Sequence, residues 1–301
     1  MKKIQTNTAF GYIMLVATAL IWGSAFVAQR NGMNSLQPCG FNGLRMLMGW
    51  FTLTFVIGLS SLFGVGKAGG NGGKESLGTL WRGGLLCGLA LGVASLVQQI
   101  GIKYTSVGKA GFITTLYIIL VPTIGILLGQ RSRWNTWGCV LLALLGFFLI
   151  SNFRPGGGFN RGDIYCLVSA FLFSVHILLL SHFAPKVDGI RLAACQFLVS
   201  GIVSLALIPV FGESFPSNWQ IIMGIKPLLY TGIVSSGLAY TFQVVAQKWV
   251  RPVVASLIMS LESCFAALFG WFLLQESLSI REVAGCIVIF VAVIITTVKE
   301  E

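Results

Sequence analysis

A carboxylate, a guanidinium and an imidazole stand inside long apolar stretches of this chain: Glu262, Arg45 and His176. An ionised side chain in such surroundings costs about 3 kcal/mol when it faces lipid. Glu262 must therefore face a cavity, find a partner or stay protonated. It has two readings, as a group that binds a solute or carries a coupling proton, and as a buried acid hydrogen-bonded between helices. Arg45 would attract an anionic group, or would lie near the end of its stretch with its head at the interface. A pair between Arg45 and Glu262 is compatible with both positions. A histidine such as His176 shuttles protons near neutral pH, or simply bonds a neighbour. His182 is six residues on, which is not ligand spacing, so no metal site is expected.

Uncharged polar groups accompany them. Gln98, Gln99 and Gln243 lie within apolar runs, as do the hydroxyls of Tyr117 and Tyr240 and the pair Trp22 and Ser24. Together they would line an aromatic and amide pocket for a small ligand. Their other reading is interhelical hydrogen bonding, at about 0.6 kcal/mol per contact.

The elements that must position these groups follow from composition. Of 301 residues, 55% are hydrophobic and only 10% are charged; the mean hydropathy is +0.86. A soluble domain of this length cannot cover that much apolar surface with so few charges. In lipid, the backbone must satisfy its own hydrogen bonds, which leaves helices or a closed barrel. The apolar runs are continuous and do not alternate with period two, so helices are expected. Ten spans are read, at 9–28, 37–61, 80–102, 107–129, 134–151, 162–181, 189–211, 223–246, 252–275 and 279–298.

The spans divide into two matching halves. Gly92, Ala94, Gln98, Lys103, Ala110, Leu116, Gly125 and Gln130 recur 145 positions later as Gly237, Ala239, Gln243, Lys248, Ala255, Leu261, Gly270 and Gln275. Gly11, Ile13 and Ala19 recur 151 positions on as Gly162, Ile164 and Ala170, and Arg45 then answers to Gln196. Five spans per half is odd, so the second half enters the membrane upside down. The expected units are residues 1–153 and 162–301, joined by 154–161 with its run Arg154-Pro155-Gly156-Gly157-Gly158. A glycine-rich exposed loop is expected over 62–79. An even number of spans puts both termini on one side. That side would hold twelve Lys and Arg residues against seven on the other, which favours cytoplasmic termini.

Small residues and one proline bear on packing. Gly84, Gly88 and Gly92 form a stripe that lets helices approach closely. Pro122 removes a helical hydrogen bond and would bend span 4.

Several function classes are disfavoured. The net charge of +11 comes from basic residues scattered between spans, with no basic stripe, so nucleic acid is not an expected partner. The seven cysteines lie in or beside apolar runs without C-x-x-C spacing and read as small buried side chains. Lys2, Lys3 and Ala17-Thr18-Ala19 resemble a signal peptide, but the run continues through Phe26 and has a partner in the second half. Gly73-Lys74-Glu75 lacks the remainder of a phosphate loop. Paired carboxylates, a Ser/His pair or a metal cluster are not found, so neither an enzyme nor a cofactor is expected.

The chain resembles the EamA-type permeases of the drug/metabolite transporter superfamily. In span 1 the resemblance rests on Ala19-Leu20-Ile21-Trp22-Gly23-Ser24. In the first half it continues with Gly101-Ile102-Lys103-Tyr104-Thr105-Ser106, Ala110 and Phe112-Ile113-Thr114. In the second half it rests on Ser236-Gly237-Leu238-Ala239-Tyr240, Ala255-Ser256-Leu257, Ser260-Leu261-Glu262, and Ala266 to Glu276 with Gly285 beyond. The family usually carries proline after the glutamate of span 9, where this chain has Ser263. The resemblance implies ten helices with cytoplasmic termini, with spans 1–4 and 6–9 around a central cavity and spans 5 and 10 outside. It implies a secondary transporter of a small metabolite, amino acid or drug-like solute, often outward. The expected setting is the bacterial cytoplasmic membrane, with the lipid bilayer and a small-molecule substrate as partners and protons as a candidate coupling ion.

Overall fold

Peptide groups in lipid have no water to bond, and every expected span is helical in the computed structural model of the chain. It describes residues 2–62, 76–105, 107–129, 134–150, 160–274 and 279–300. The first half runs through α1 (Lys2–Gly32), α2 (Pro38–Leu62), α3 (Leu77–Tyr104), α4 (Val107–Thr114), α5 (Tyr117–Leu127) and α6 (Trp134–Ile150). The second begins with α7 (Arg161–Phe183) and α8 (Gly189–Ala206), then the short α9 (Asn218–Met223). Span 8 comprises α10 (Ile225–Leu229), a π-helix (Tyr230–Tyr240) and α11 (Thr241–Ala246). Span 9 comprises α12 (Pro252–Met259) and α13 (Leu261–Leu274), and α14 (Ile280–Glu300) is the last. Among the described residues nine stretches are long and apolar enough to cross a bilayer, with Trp137–Leu149 as a shorter tenth. Most of the glycine-rich connection, and the run Arg154-Pro155-Gly156-Gly157-Gly158, lie outside the described residues.

Local chemistry sets several helix starts. Asn160 caps α7 in a reciprocal box with Asp163. Asp188 caps α8 by accepting from the backbone N–H groups of Ile190 and Arg191. Pro252 opens α12, where its missing N–H costs nothing.

The interruptions fall where the sequence reading did not put them. Pro122 lies inside α5, and span 4 breaks earlier, at Thr115-Leu116. Span 9 breaks at Ser260, the position 145 residues later. The same bond accompanies both breaks. Thr115 Oγ1 donates to the Phe112 carbonyl at 2.7 Å, and Ser260 Oγ donates to the Leu257 carbonyl at 2.6 Å. Each hydroxyl competes with the backbone for a carbonyl, which loosens the helix locally. Span 9 breaks with Ser263 where the family usually carries proline. Ser263 Oγ instead donates to the Ser260 carbonyl at 2.9 Å.

The packing between halves is self-consistent under their exchange. In the first half α3 packs on α7 and α8; in the second, the π-helix and α11 of span 8 pack on α1, and the π-helix on α2. Helix α1 meets α12 and α13, as α7 meets α4 and α5. Helices α2 and α8 pack on each other, as do α6 and α14. These last two are pairs of equivalent spans, so the exchange axis passes between their members. The glycine stripe lies on the crossing of α3 with α8. A Cβ on Gly84 would sit 2.5 Å from Cys195 Cβ, and one on Gly88 2.6 Å from Val199 Cβ. Ser200 Oγ donates across the gap to the Gly88 carbonyl at 2.8 Å. Large apolar side chains such as Phe51, Phe55, Phe272 and Ile294 are left on the outside, where lipid solvates them.

Candidate functional site

Spans 1, 2, 3, 4, 6, 8 and 9 line a central cavity of about 460 Å³, counting the space through which it opens. Its lining includes Trp22, Arg45, Gln98, Tyr117, Tyr240, Gln243 and Glu262, seven of the ten residues the sequence singles out. Span 7 contributes no lining residue, contrary to the expectation drawn from the resemblance. Its polar residue Gln196 is engaged elsewhere, its Oε1 accepting from His176 Nε2 at 3.0 Å.

The lining is organised by the repeat. Gln98 faces the cavity with its counterpart Gln243, and Thr114 with Met259. At the 151-residue offset Trp22 pairs with Phe173, and Phe26 with Ile177. Tyr117 and Glu262 are also counterparts, and they touch: Tyr117 Oη donates to Glu262 Oε1 at 3.1 Å. Both are buried. They lie in the first turn after the breaks in spans 4 and 9, so the same interruption delivers each to the cavity.

Arg45 does not sit at an interface. It is 2% exposed and held by a polar network. Its Nε donates to Asn42 Oδ1 at 2.9 Å, and Asn42 Nδ2 donates to Ser95 Oγ at 3.1 Å and Ser204 Oγ at 2.8 Å. Spans 2, 3 and 7 thus share one anchor, and the guanidinium is presented to the cavity. Arg45 and Glu262 line the same space, yet among the described residues they form no ion pair. The cavity therefore offers a cation and an acid separately.

Aromatic rings occupy the ground between them. Trp22 and Tyr240 lie 4.5 Å apart between ring centroids, and Phe197 meets Tyr240 edge-on at 5.8 Å. Trp22 Nε1 donates to the Ser235 carbonyl at 3.4 Å, and Thr18 Oγ1 to the Ala239 carbonyl at 3.0 Å. Both carbonyls belong to the π-helix, a wider turn found at many functional sites. Its counterpart in α3 is regular, so the two halves differ here.

Three of the ten candidates stand away from the cavity. His176 is buried behind Tyr240, 6.3 Å between ring centroids, and bonds Gln196. Ser24 donates to the Ile21 carbonyl at 2.8 Å and shares a short hydrogen bond with Tyr230. Gln99 is likewise turned aside, donating to the Gln29 carbonyl at 3.4 Å. Conversely, Phe26, Gln29, Thr114, Phe173, Ile177, Ser235 and Met259 line the cavity and were not singled out. The repeat offset is the signal that reaches one of them, from Trp22 to Phe173; Phe26 with Ile177 and Thr114 with Met259 are counterparts of which neither member stood out. Among the described residues, no three His, Cys, Asp or Glu side chains are placed to hold a metal ion.

Comparison with known proteins agrees with this architecture. A protein of Archaeoglobus fulgidus named as an uncharacterized transporter is 30% identical over 95% of this chain and 85% of its own length. The uncharacterized transporter YoaV of Bacillus subtilis is 23% identical over 94% of this chain and 95% of its own length. One crystal structure superposes with a TM-score of 0.71 over 98% of this chain and 97% of the other, at 18% identity, which bears on the fold alone. The EamA-like transporter family matches residues 9–152 and again residues 160–298. A multi-pass helical chain with a central polar cavity, matched twice along its length by that family, belongs to the EamA-like transporter family and is a membrane transporter.

Proposed function

We propose that this protein is a secondary transporter that moves a small solute by alternating access through the central cavity. The observation that carries this reading is the contact between Tyr117 and Glu262. Two counterpart residues meet inside the cavity, so the binding site lies on the exchange axis of the halves. A site so placed is reached from either face when the halves trade conformations.

Two five-helix units, 1–153 and 162–301, rock about the segment 154–161. Arg45 takes an anionic group of the solute, and Glu262 a cationic or hydrogen-bond-donating one. Trp22, Phe173 and Tyr240 sandwich the apolar part, and the amides of Gln98 and Gln243 orient it. Amino acids meet this description among small metabolites. Glu262 is also the group through which a proton would couple, since it alone among the lining residues is an acid. The setting is the bacterial cytoplasmic membrane with cytoplasmic termini, supported by the distribution of Lys and Arg. Outward transport rests on the family resemblance.

The test is a metabolite-efflux comparison of overexpressing cells, deletion cells and a Glu262→Gln variant. The reading expects a solute whose release rises with the wild-type protein and not with the variant. Identical profiles in all three would remove the transport assignment. Release by the variant equal to wild type would move the site away from Glu262 and leave transport standing.

A further inference from the structure

The end of the bundle away from the termini carries a charged cluster that the cavity does not use. Asp163, in the first turn of α7, is entirely buried. Its Oδ1 accepts from Thr105 Oγ1 at 2.7 Å and its Oδ2 from Lys109 Nζ at 3.0 Å. Thr105 follows span 3 and Lys109 opens span 4, both in the first half, whereas Asp163 opens the second. Arg30, at the end of span 1, adds a bond from Nη1 to the Thr105 carbonyl at 3.2 Å. The backbones are in contact beside it, because a Cβ on Gly162 would sit 2.8 Å from the Gly101 carbonyl oxygen and 2.9 Å from Thr105 N.

The same crossing exists at the other end. There Gly11 is the counterpart of Gly162, and its Cβ would meet Val250 Cγ2 at 2.8 Å. The counterparts of Asp163, Thr105 and Lys109 are Tyr12, Val250 and Val254. One crossing is thus built twice, with Asp163, Thr105 and Lys109 at one end and Tyr12, Val250 and Val254 at the same positions of the other. A repeat-derived transporter with two equal ends would have no preferred direction of opening. The difference between the ends supplies one.

We propose that Lys109, Asp163 and Thr105 form a latch that closes the end away from the termini and biases the protein toward opening at the terminal end. This rests on the alternating-access reading above. Parting the halves at this end separates a buried carboxylate from its ammonium partner, so the latch releases as a unit when water reaches Asp163. At the other end the counterpart positions hold Tyr12, Val250 and Val254, none of which carries a charge at neutral pH.

Side-specific labelling tests it. The seven native cysteines are replaced, and Thr114→Cys places one thiol in the cavity. A membrane-impermeant maleimide is applied to vesicles of each orientation. Lys109→Met leaves the Asn160 cap untouched, and is expected to raise labelling from the side away from the termini about fivefold or more. Labelling from the terminal side should fall in parallel. Asp163→Asn, which keeps an oxygen for the cap, should act in the same direction, and Lys109→Arg should restore wild-type rates. Unchanged rates from both sides, or a rise from both sides together, would overturn the latch and leave alternating access standing. A thiol that labels from only one side in every variant would overturn both.

Discussion

Tyr117 and Glu262 stand 145 residues apart in sequence and 3.1 Å apart in space. The first number is the repeat offset, so this hydrogen bond joins a residue to its own counterpart. Such a contact forms only on the exchange axis. Equivalent positions carry a hydroxyl in one half and a carboxylate in the other, and the pair donates and accepts where two identical acids would repel.

Tyr117→Phe removes the donor and leaves the buried carboxylate without it. The expected cost is about 1–3 kcal/mol of stability, read as a lowered melting temperature in detergent. Glu262→Gln should cost less, because an amide still accepts from Tyr117, yet it should abolish solute-dependent transport. A stable but inactive Glu262→Gln beside a destabilised Tyr117→Phe is the expected pattern.

The glycine stripe is expected to be intolerant of bulk. Gly84→Val would drive its new Cβ to 2.5 Å from Cys195 Cβ, with two further methyl groups beyond it, forcing α3 and α8 apart. About 1–3 kcal/mol is expected from overpacking, seen as lower yield of monodisperse protein. Gly58→Ala, with nothing within 4 Å, should instead gain about 0.5–1 kcal/mol from helix propensity.

The paired breaks in spans 4 and 9 make a separate prediction. Removing both hydroxyls, as Thr115→Val with Ser260→Ala, frees the Phe112 and Leu257 carbonyls to rejoin the helices. The variant should remain folded by circular dichroism while transport falls. Full transport by the double variant would dissociate the breaks from function.

Topology is testable with two positions. Lys103 and Lys248 are counterparts, and inversion places them on opposite faces of the membrane. Lys103→Cys and Lys248→Cys, each in a cysteine-free background, should label from opposite sides. Labelling of both from one side would end the inverted-repeat arrangement and every assignment built on it.

Much of the site could be read from the chain because polar residues inside lipid-spanning stretches are rare. Glu262, Gln98 and Gln243 stand out against apolar neighbours, and seven of ten such candidates line the cavity. The three exceptions share a cause. Ser24, His176 and Gln99 are polar residues on spans that line the cavity, but each found a partner between helices, in Tyr230, Gln196 and the Gln29 carbonyl. One-dimensional spacing does not report which side of a helix is met by a partner. The π-helix of span 8 was also hidden, because Tyr230–Tyr240 has no residue that forbids an ordinary helix. Its carbonyls are instead claimed by Trp22 and Thr18 from span 1.

Sequence alone determined that the chain lives in lipid, that its spans are helical and that its halves repeat. Those properties follow from hydropathy and from matching residues at fixed offsets, which need no knowledge of distance. Only the tertiary structure decided that Arg45 faces the cavity and not the interface, that Glu262 bonds Tyr117 and not Arg45, and that Lys109 pairs with Asp163 across the halves at one end of the bundle. Each of these depends on helix rotation and on contacts between residues more than fifty positions apart, except for the short-range bond that aims Arg45 through Asn42. Burial made those choices, because a charge enclosed by helices must take whatever partner their packing brings within reach.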